Sequence, residues 1–402
     1  MTPSQVTRHI FSNEKLQMYG VINKDRVGAL SFDAFDPRSV MKMSLDVMRL
    51  AAESLRLCLP GPNMGVMWQE FNNKLQAFSL FENADSVLRL EPGKDVALAK
   101  LIQKTRLMGA YRAVWVIEGL GHYQTEMCWA RSREPKELLN GSSADDLPAE
   151  SLTPLHAGMG LSIANRLLKT IRSPNSQSEI RGVLERFIEL CRHNSRSGYL
   201  GVSYEALGLA ARNLYPHLVR IIDQQLQQID AKLVGYFWHG VGRAIYFAPT
   251  NFLPFNNSPW RSIEMAQREP IHEIGRLNAL AGVVWALTLI NIRQPEILEN
   301  MLSRHRKELS DSDALTNGVS SAIMIWRDST ADDSGLDGLC RHQPESSDRD
   351  LVRLWTEQIL QPCRIAVQRF YPVIRKHDSL GEIFRYQSLT KLVSKLEKER
   401  GH

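Results

Sequence analysis

Residues 237–247 read Phe237-Trp238-His239-Gly240-Val241-Gly242-Arg243-Ala244-Ile245-Tyr246-Phe247. A Gly-x-Gly sits inside an apolar, aromatic run, with a histidine before it and an arginine after it. Glycine inside a helix costs about 1 kcal/mol relative to alanine, so two glycines within three residues need a compensating reason. Close approach of a neighbouring backbone is such a reason. Related strings recur along the chain: Glu118-Gly119-Leu120-Gly121, Ala157-Gly158-Met159-Gly160, Glu205-Ala206-Leu207-Gly208, Ala281-Gly282-Val283-Val284 and Asn317-Gly318-Val319-Ser320. With His239-Gly240-Val241-Gly242 they place a small residue at 119, 158, 206, 240, 282 and 318. Each interval is long enough for two helices and their turns. The pattern predicts an all-α fold of helical repeats with Gly-x-Gly helix starts, either an α-solenoid or an α/α ring. Free N–H groups at such helix starts would also suit an anion.

Helical periodicity elsewhere agrees. Leu218, Ile222, Leu226, Ile229 and Leu233 share one helix face, as do Met43, Val47 and Leu50, and Leu389, Leu392, Val393 and Leu396. Ala113–Ile117 and Tyr199–Ser203 are short apolar runs that also allow a strand. The segment 131–153 is rich in turn and capping residues and reads as a surface loop. The segment 327–350 is acidic and small, and Pro-rich 251–260 ends a helix. The expected organisation is an N-terminal helical extension over 1–100, a repeat core over 101–330, an acidic loop over 331–350, and C-terminal helices over 351–402 that pack on the core.

The chain has 402 residues, 43% of them hydrophobic and 23% charged, with a net charge of +5. That supports a sizeable core and argues against wholesale disorder. No dense Lys/Arg block calls for nucleic acid, and two acids interrupt the basic C-terminal KLVSKLEKERGH. The five cysteines, Cys58, Cys128, Cys191, Cys340 and Cys363, are scattered and never form a CxxC pair, which suits a reducing cytoplasm rather than a disulfide framework or structural zinc. The N-terminus lacks the apolar run of a secretory signal. The most apolar stretch, Leu280–Ile292, is too short to span a bilayer, lies between Arg276 and Arg293, and reads as a buried core helix. There is no P-loop, no Rossmann fingerprint, no HExxH and no GxSxG.

Candidate chemistry gathers just before the small residues. If the helices form a ring, Glu118, Glu205 and His239, with His156 one step off, converge at one end. Two histidines and two glutamates would suit iron or manganese, or would act as acid and base around a cavity. The alternative is helix capping and buried hydrogen bonding at repeat junctions. Arg243 is suited to clamp a carboxylate or phosphate bidentately, or to form a buried salt bridge with Glu118 or Glu205. Tyr236, Phe237, Trp238, Tyr246, Phe247, Phe252 and Phe255 would either line a pocket for an apolar ligand or pack in the core. His122, His193, His217 and His272 read as isolated, and Cys191-Arg192-His193 lacks a visible third partner.

Four strings, VWVIEGLGHYQTEMCWAR (114–131), PLHAGMGLSIANRLL (154–168), FWHGVGRAIYF (237–247) and GRLNALAGVVWALTL (275–289), resemble successive motifs of a bacterial domain-of-unknown-function family whose members occur in enediyne polyketide biosynthesis clusters, among other settings. The resemblance runs from about Tyr111 to Ala286, and more weakly to Trp326. Glu118-Gly119 and Gly240–Ala244 carry it best. The family's central GYGFH-type motif is replaced here by VSYEALGLA, and the first hundred residues match poorly. The resemblance implies a natural-product or polyene setting and no mechanism. The expected function is therefore an accessory protein of a biosynthetic or redox pathway. It would hold an apolar or polyunsaturated ligand in a cavity between helical repeats, with or without a catalytic step at Glu118, His239 and Arg243. His156, Glu205, Tyr236, Trp238 and Tyr246 would contact that ligand, and no cofactor is specified. The alternative is a non-catalytic helical scaffold for partner proteins.

Overall fold

The computed structural model describes residues 64–90, 97–131, 133–252, 260–306, 309, 313–330, 334–344 and 348–399. Met43, Val47 and Leu50, Cys58, Phe255 and most of 251–260 lie outside them. The described residues are helical, and no β-strand occurs among them. Both candidate strands are helical: 113–117 belongs to α4 and most of 199–203 to α7. Their continuous apolar character reflects helices buried on nearly every side, which a short window does not distinguish from a strand.

Three helices, the long α1 (Met64–Glu82) and the short α2 (Ala84–Leu88) and α3 (Leu98–Thr105), lead into α4 (Ala110–Ala130) and α5 (Ala149–Leu168). Next come α6 (Gln177–Asn194), α7 (Leu200–Leu214), α8 (Val219–Ile229), α9 (Ala231–Tyr246) and α10 (Trp260–Arg268). Then follow α11 (Glu273–Ile290), α12 (Pro295–Arg304), α13 (Asp313–Ser329) and α14 (Ser334–Arg341). The C-terminal part holds α15 (Arg349–Trp355), α16 (Tyr371–Lys376) and α17 (Leu389–Lys398). So the span expected as an acidic loop contains a helix, α14, whose Leu336 and Leu339 are buried. A two-residue apolar stripe inside an acidic sequence is enough to dock it.

Helices α4, α5, α7, α9, α11 and α13 carry the six glycine-type strings. Each packs extensively on the next in that order, and α13 returns to contact α5. Helices α6, α8 and α10 lie outside them, with polar faces of the amphipathic kind. Helix α11 is long and apolar enough to cross a membrane by length and composition, but 78% of it is buried inside this protein. It is the core helix that the sequence suggested.

The glycines do not start helices. Gly158 lies mid-way along α5 and Gly240 mid-way along α9. No free N–H groups are therefore presented there, and the anion-binding expectation falls. What the glycines do is let backbones touch. A Cβ on Gly158 would stand 1.9 Å from the carbonyl oxygen of Glu118, and one on Gly240 would stand 2.0 Å from that of Glu205. No side chain fits there without separating the helices.

Helix α1 is fastened by a buried polar cluster. Glu70 pairs with Lys74 at 3.0 Å, Lys74 donates to the Asn251 carbonyl at 2.7 Å, and the Tyr246 hydroxyl donates to Glu70 at 2.6 Å. Asn291 joins α11 to Tyr246 at 3.0 Å and accepts from Asn73 at 2.9 Å. Burial pushes the Lys74 ammonium below its usual range, against the pull of Glu70.

Two glycine-to-alanine changes should move stability in opposite directions. Gly240→Ala should destabilise by about 1–3 kcal/mol, the usual cost of overpacking a core. Gly182→Ala should stabilise by about 0.5–1 kcal/mol, because Gly182 sits exposed in α6 with nothing within 4 Å of a new Cβ. Urea denaturation of both variants decides it, and similar shifts in both would contradict the close-approach role.

Candidate functional site

Three of the packing steps just described, α4 to α5, α5 to α7 and α7 to α9, bring four side chains together. Glu118 comes from α4, Glu205 from α7, and His239 and Arg243 from successive turns of α9. The i,i+4 spacing puts His239 and Arg243 on one helix face. Arg243 donates to Glu205 at 2.7 Å and to Glu118 at 3.5 Å. His239 Nδ1 lies 3.1 Å from the other Glu205 oxygen. Because that oxygen accepts, Nδ1 carries the proton. The guanidinium carbon stands 4.6 Å from the centre of the Trp285 ring, and His239 packs edge-on against Trp285 and Phe384. All four polar residues are buried.

The electrostatics are lopsided. Burial raises the Glu118 carboxyl above the ordinary range. Arg243 pulls it down, and the nearby Glu205 adds to the rise. For Arg243, burial works against the cation, but the two carboxylates outweigh it and hold it above its usual value. One arginine thus serves two acids, with Glu205 at the shorter distance.

Glu118 and Arg243 form the floor of a cleft of about 180 Å³. Its walls come from five helices. Phe78 and Phe81 of α1 face Leu161 of α5 and Leu209 and Leu214 of α7, with Trp115 of α4 and Phe247, just past α9, completing the apolar lining. The rim is polar: Glu82 is exposed, and His122, Asn165 and Asn213 are half-buried. Burial lowers the His122 imidazole, while Glu126 and Glu82 pull it up. A second, smaller space of about 30 Å³ also borders Glu118 and Arg243, lined in addition by Ala157, Trp285 and Ser329, and is large enough for a water.

Of the residues expected from sequence, Glu118, Glu205, His239 and Arg243 come together, and only Glu118 and Arg243 reach the cleft. Glu205 bonds both Arg243 and His239, and neither Glu205 nor His239 lines the cleft. His156 lies elsewhere. Its Nδ1 hydrogen-bonds the Leu152 carbonyl at 2.6 Å and its Nε2 accepts from the Arg196 amide at 2.9 Å. Burial first, and Arg196 as well, bring it down to about 4 against the Leu152 bond. A neutral imidazole with both nitrogens engaged has no lone pair for a metal. The proposed four-residue metal set is thereby broken, and among the described residues no group of three or more His, Cys, Asp or Glu is placed to hold a metal ion.

The aromatic candidates are likewise committed elsewhere. Tyr236 bonds Glu382 at 3.1 Å, Trp238 donates to Asp223 at 2.8 Å, and Tyr246 belongs to the Glu70–Lys74 cluster. None lines the cleft. Phe247 does. Cys191 is buried while His193 is exposed, so they form no dyad. His272 caps α11 and bonds Asp223.

Sequence reasoning missed Trp115 and His122. They lie three before and four after Glu118 on α4, so the helical face that carries Glu118 carries them too. That spacing was the available signal. Phe78 and Phe81 had none, because nothing in the chain tied α1 to this face. No protein-family model, no curated protein and no solved structure matches the chain.

The raised Glu118 carboxyl has a consequence for stability. In the unfolded chain it titrates near 4.5. In the folded protein it holds its proton to higher pH. Above 4.5 the folded state therefore binds more protons, and stability falls as pH rises through the folded value. Glu118→Gln removes that loss. The stability difference between Glu118→Gln and the wild type should grow in favour of the variant from pH 4.5 upward, as measured by urea denaturation at each pH. A difference independent of pH would show that Glu118 is not held protonated.

Proposed function

We propose that this protein binds a small, largely apolar molecule in the cleft between α1, α4, α5, α7 and α9, with the polar end of that molecule at Glu118 and Arg243. The observation that carries the proposal is a buried carboxyl and guanidinium forming the floor of a cavity with aromatic and aliphatic walls. Sites of this build bind through apolar contact and orient through the few polar groups they contain. At about 180 Å³ the space suits a ligand below drug size.

The glycine-bearing helices read as units of one closed array, with α4 packed on α5 at its start. In support, successive members pack on each other and α13 returns to α5. On this reading the cleft lies between units, with α1 closing its outer side. The resemblance of Glu118-Gly119 and Gly240–Ala244 to motifs of the family seen in enediyne clusters supports an accessory role in a biosynthetic pathway.

Filling the cleft tests the proposal. Leu161 is a half-buried wall residue, and Leu161→Trp should occupy the ligand's space while leaving the fold intact. Native mass spectrometry of the purified protein should show a small molecule bound to the wild type and absent from the variant, with melting temperatures within a few degrees. Wild-type protein that carries no ligand, or a variant that retains it, would refute the proposal.

A further inference from the structure

Two cysteines far apart in the sequence are brought together by the fold. Cys340 is the second-last residue of α14, and Cys363 lies in the helical turn Gln361–Ile365. Helix α14 packs on α13 and on Thr356–Leu360, the segment that runs directly into that turn. The two thiols are free and in hydrogen-bond contact with each other. Cys363 is fully buried and Cys340 half-buried, so a small solute meets Cys340 first. Cys128 and Cys191, the other described cysteines, stand on α4 and α6.

The contact divides the work between the two sulfurs. The Cys363 S–H donates to Cys340. That bond first, and the Arg364 guanidinium as well, favour the Cys340 thiolate against burial and Asp337. The same bond, together with burial, holds the proton on Cys363 well above the usual range. A partly exposed thiolate with positive charge beside it is the setting of a reactive cysteine. Cys128 and Cys191 lack a thiol donor. Burial raises both, with no opposing group at Cys191 and against Arg131 and Arg133 at Cys128.

We infer that Cys340 and Cys363 are a peroxide-oxidised disulfide site, which fastens α14 to the C-terminal part of the chain. The Cys340 thiolate attacks one oxygen of hydrogen peroxide and the O–O bond breaks. The leaving hydroxide takes up the proton that Cys340 lost on ionising, and departs as water. Cys340 is then a sulfenic acid. The Cys363 sulfur, already in contact, attacks the Cys340 sulfur. The S–O bond breaks, and hydroxide leaves with the Cys363 proton as a second water. The two thiols have given up two electrons and the peroxide has gained them. A dithiol reductant reverses the step, becoming a disulfide itself. In the reduced protein α14 is docked by the buried Leu336 and Leu339. Just beyond its end, His342 lies 2.8 Å from Glu299, and its carbonyl accepts from the Trp355 indole at 3.0 Å. The disulfide adds a covalent link beside these contacts.

Hydrogen peroxide added to the full chain, followed by alkylation and mass mapping of peptides without reductant, tests the inference. The peptides carrying Cys340 and Cys363 should be linked within one chain, lighter by two hydrogens, and separated again by dithiothreitol. Cys340 should be consumed at least about tenfold faster than Cys128. Iodoacetamide should label Cys340 at lower pH than Cys128. In Cys363→Ser, Cys340 should stop at a sulfenic acid that dimedone traps. In Cys340→Ser, Cys363 should stay reduced. The wild-type mapping decides the matter even if neither variant folds. Oxidation of Cys340 no faster than that of Cys128, oxidation beyond the sulfenic acid without a link to Cys363, or links only between separate chains would overturn the inference.

Discussion

The helices of this protein meet backbone to backbone, and its buried chemistry depends on that contact. At Gly158 and Gly240 the neighbouring chain comes so close that a methyl group would overlap a carbonyl oxygen. Those two carbonyls belong to Glu118 and Glu205, the acids on either side of Arg243. The missing Cβ atoms therefore set the distance between α4 and α5 and between α7 and α9. That spacing lets one guanidinium reach carboxyls from two other helices. Separation by the width of one methyl group would break the longer of the two bonds. The cost of mid-helix glycine, about 1 kcal/mol each, is offset by the dense packing that follows.

Burying these groups is expensive, and the arrangement shows how the expense is limited. A buried ion pair rarely gains more than it loses in desolvation, and removing one partner leaves a charge that costs about 3–5 kcal/mol. Arg243 and Glu205 neutralise each other at short range, His239 satisfies the remaining Glu205 oxygen, and Trp285 covers the guanidinium face. At Glu118 burial works against the charged form and raises the carboxyl above its ordinary range. Lysine could not replace Arg243, because a single ammonium lacks the planar fork that addresses two carboxylates from different directions and stacks on an indole.

The sequence displayed the all-helical class, the buried character of α11 and the tight-packing role of the small residues, because glycine and apolar periodicity act locally. It also brought Glu118, Glu205 and His239 together, since each directly precedes a small residue and those positions turn toward a common interior. His156 failed for a simple geometric reason. One residue off that register is a rotation of about 100° around the helix, and the register position itself is held by Ala157, which borders the small space beside Arg243. Tyr236, Trp238 and Tyr246 were misread because dense aromatics mark a core as readily as a pocket. Which of the two they line depends on partners such as Glu382, Asp223 and Glu70, far away along the chain. The helix starts were misplaced because Gly-x-Gly says that something comes close without saying what. The distinction between a turn, a ligand and another helix lies in the tertiary contact.

The segment set aside as an N-terminal extension turns out to complete the cleft. Without α1, Glu118 and Arg243 would open directly to solvent, because Ala77, Phe78, Phe81 and Glu82 form its outer wall. An apolar wall could slide along its neighbours, since hydrophobic contact has no direction. Hydrogen bonds do, and the Glu70–Lys74–Tyr246–Asn291 cluster fixes α1 against α9 and α11 in one register. Its polar groups gain little stability for their burial, but any shift of α1 along its axis would strip the buried Glu70–Lys74 pair of its bonds to the Tyr246 hydroxyl and the Asn251 carbonyl. The cluster thus sets the position of Phe78 and Phe81, four and seven residues further along the same helix from Lys74. The shape of the cleft is therefore fixed by polar contacts that none of its own lining residues make.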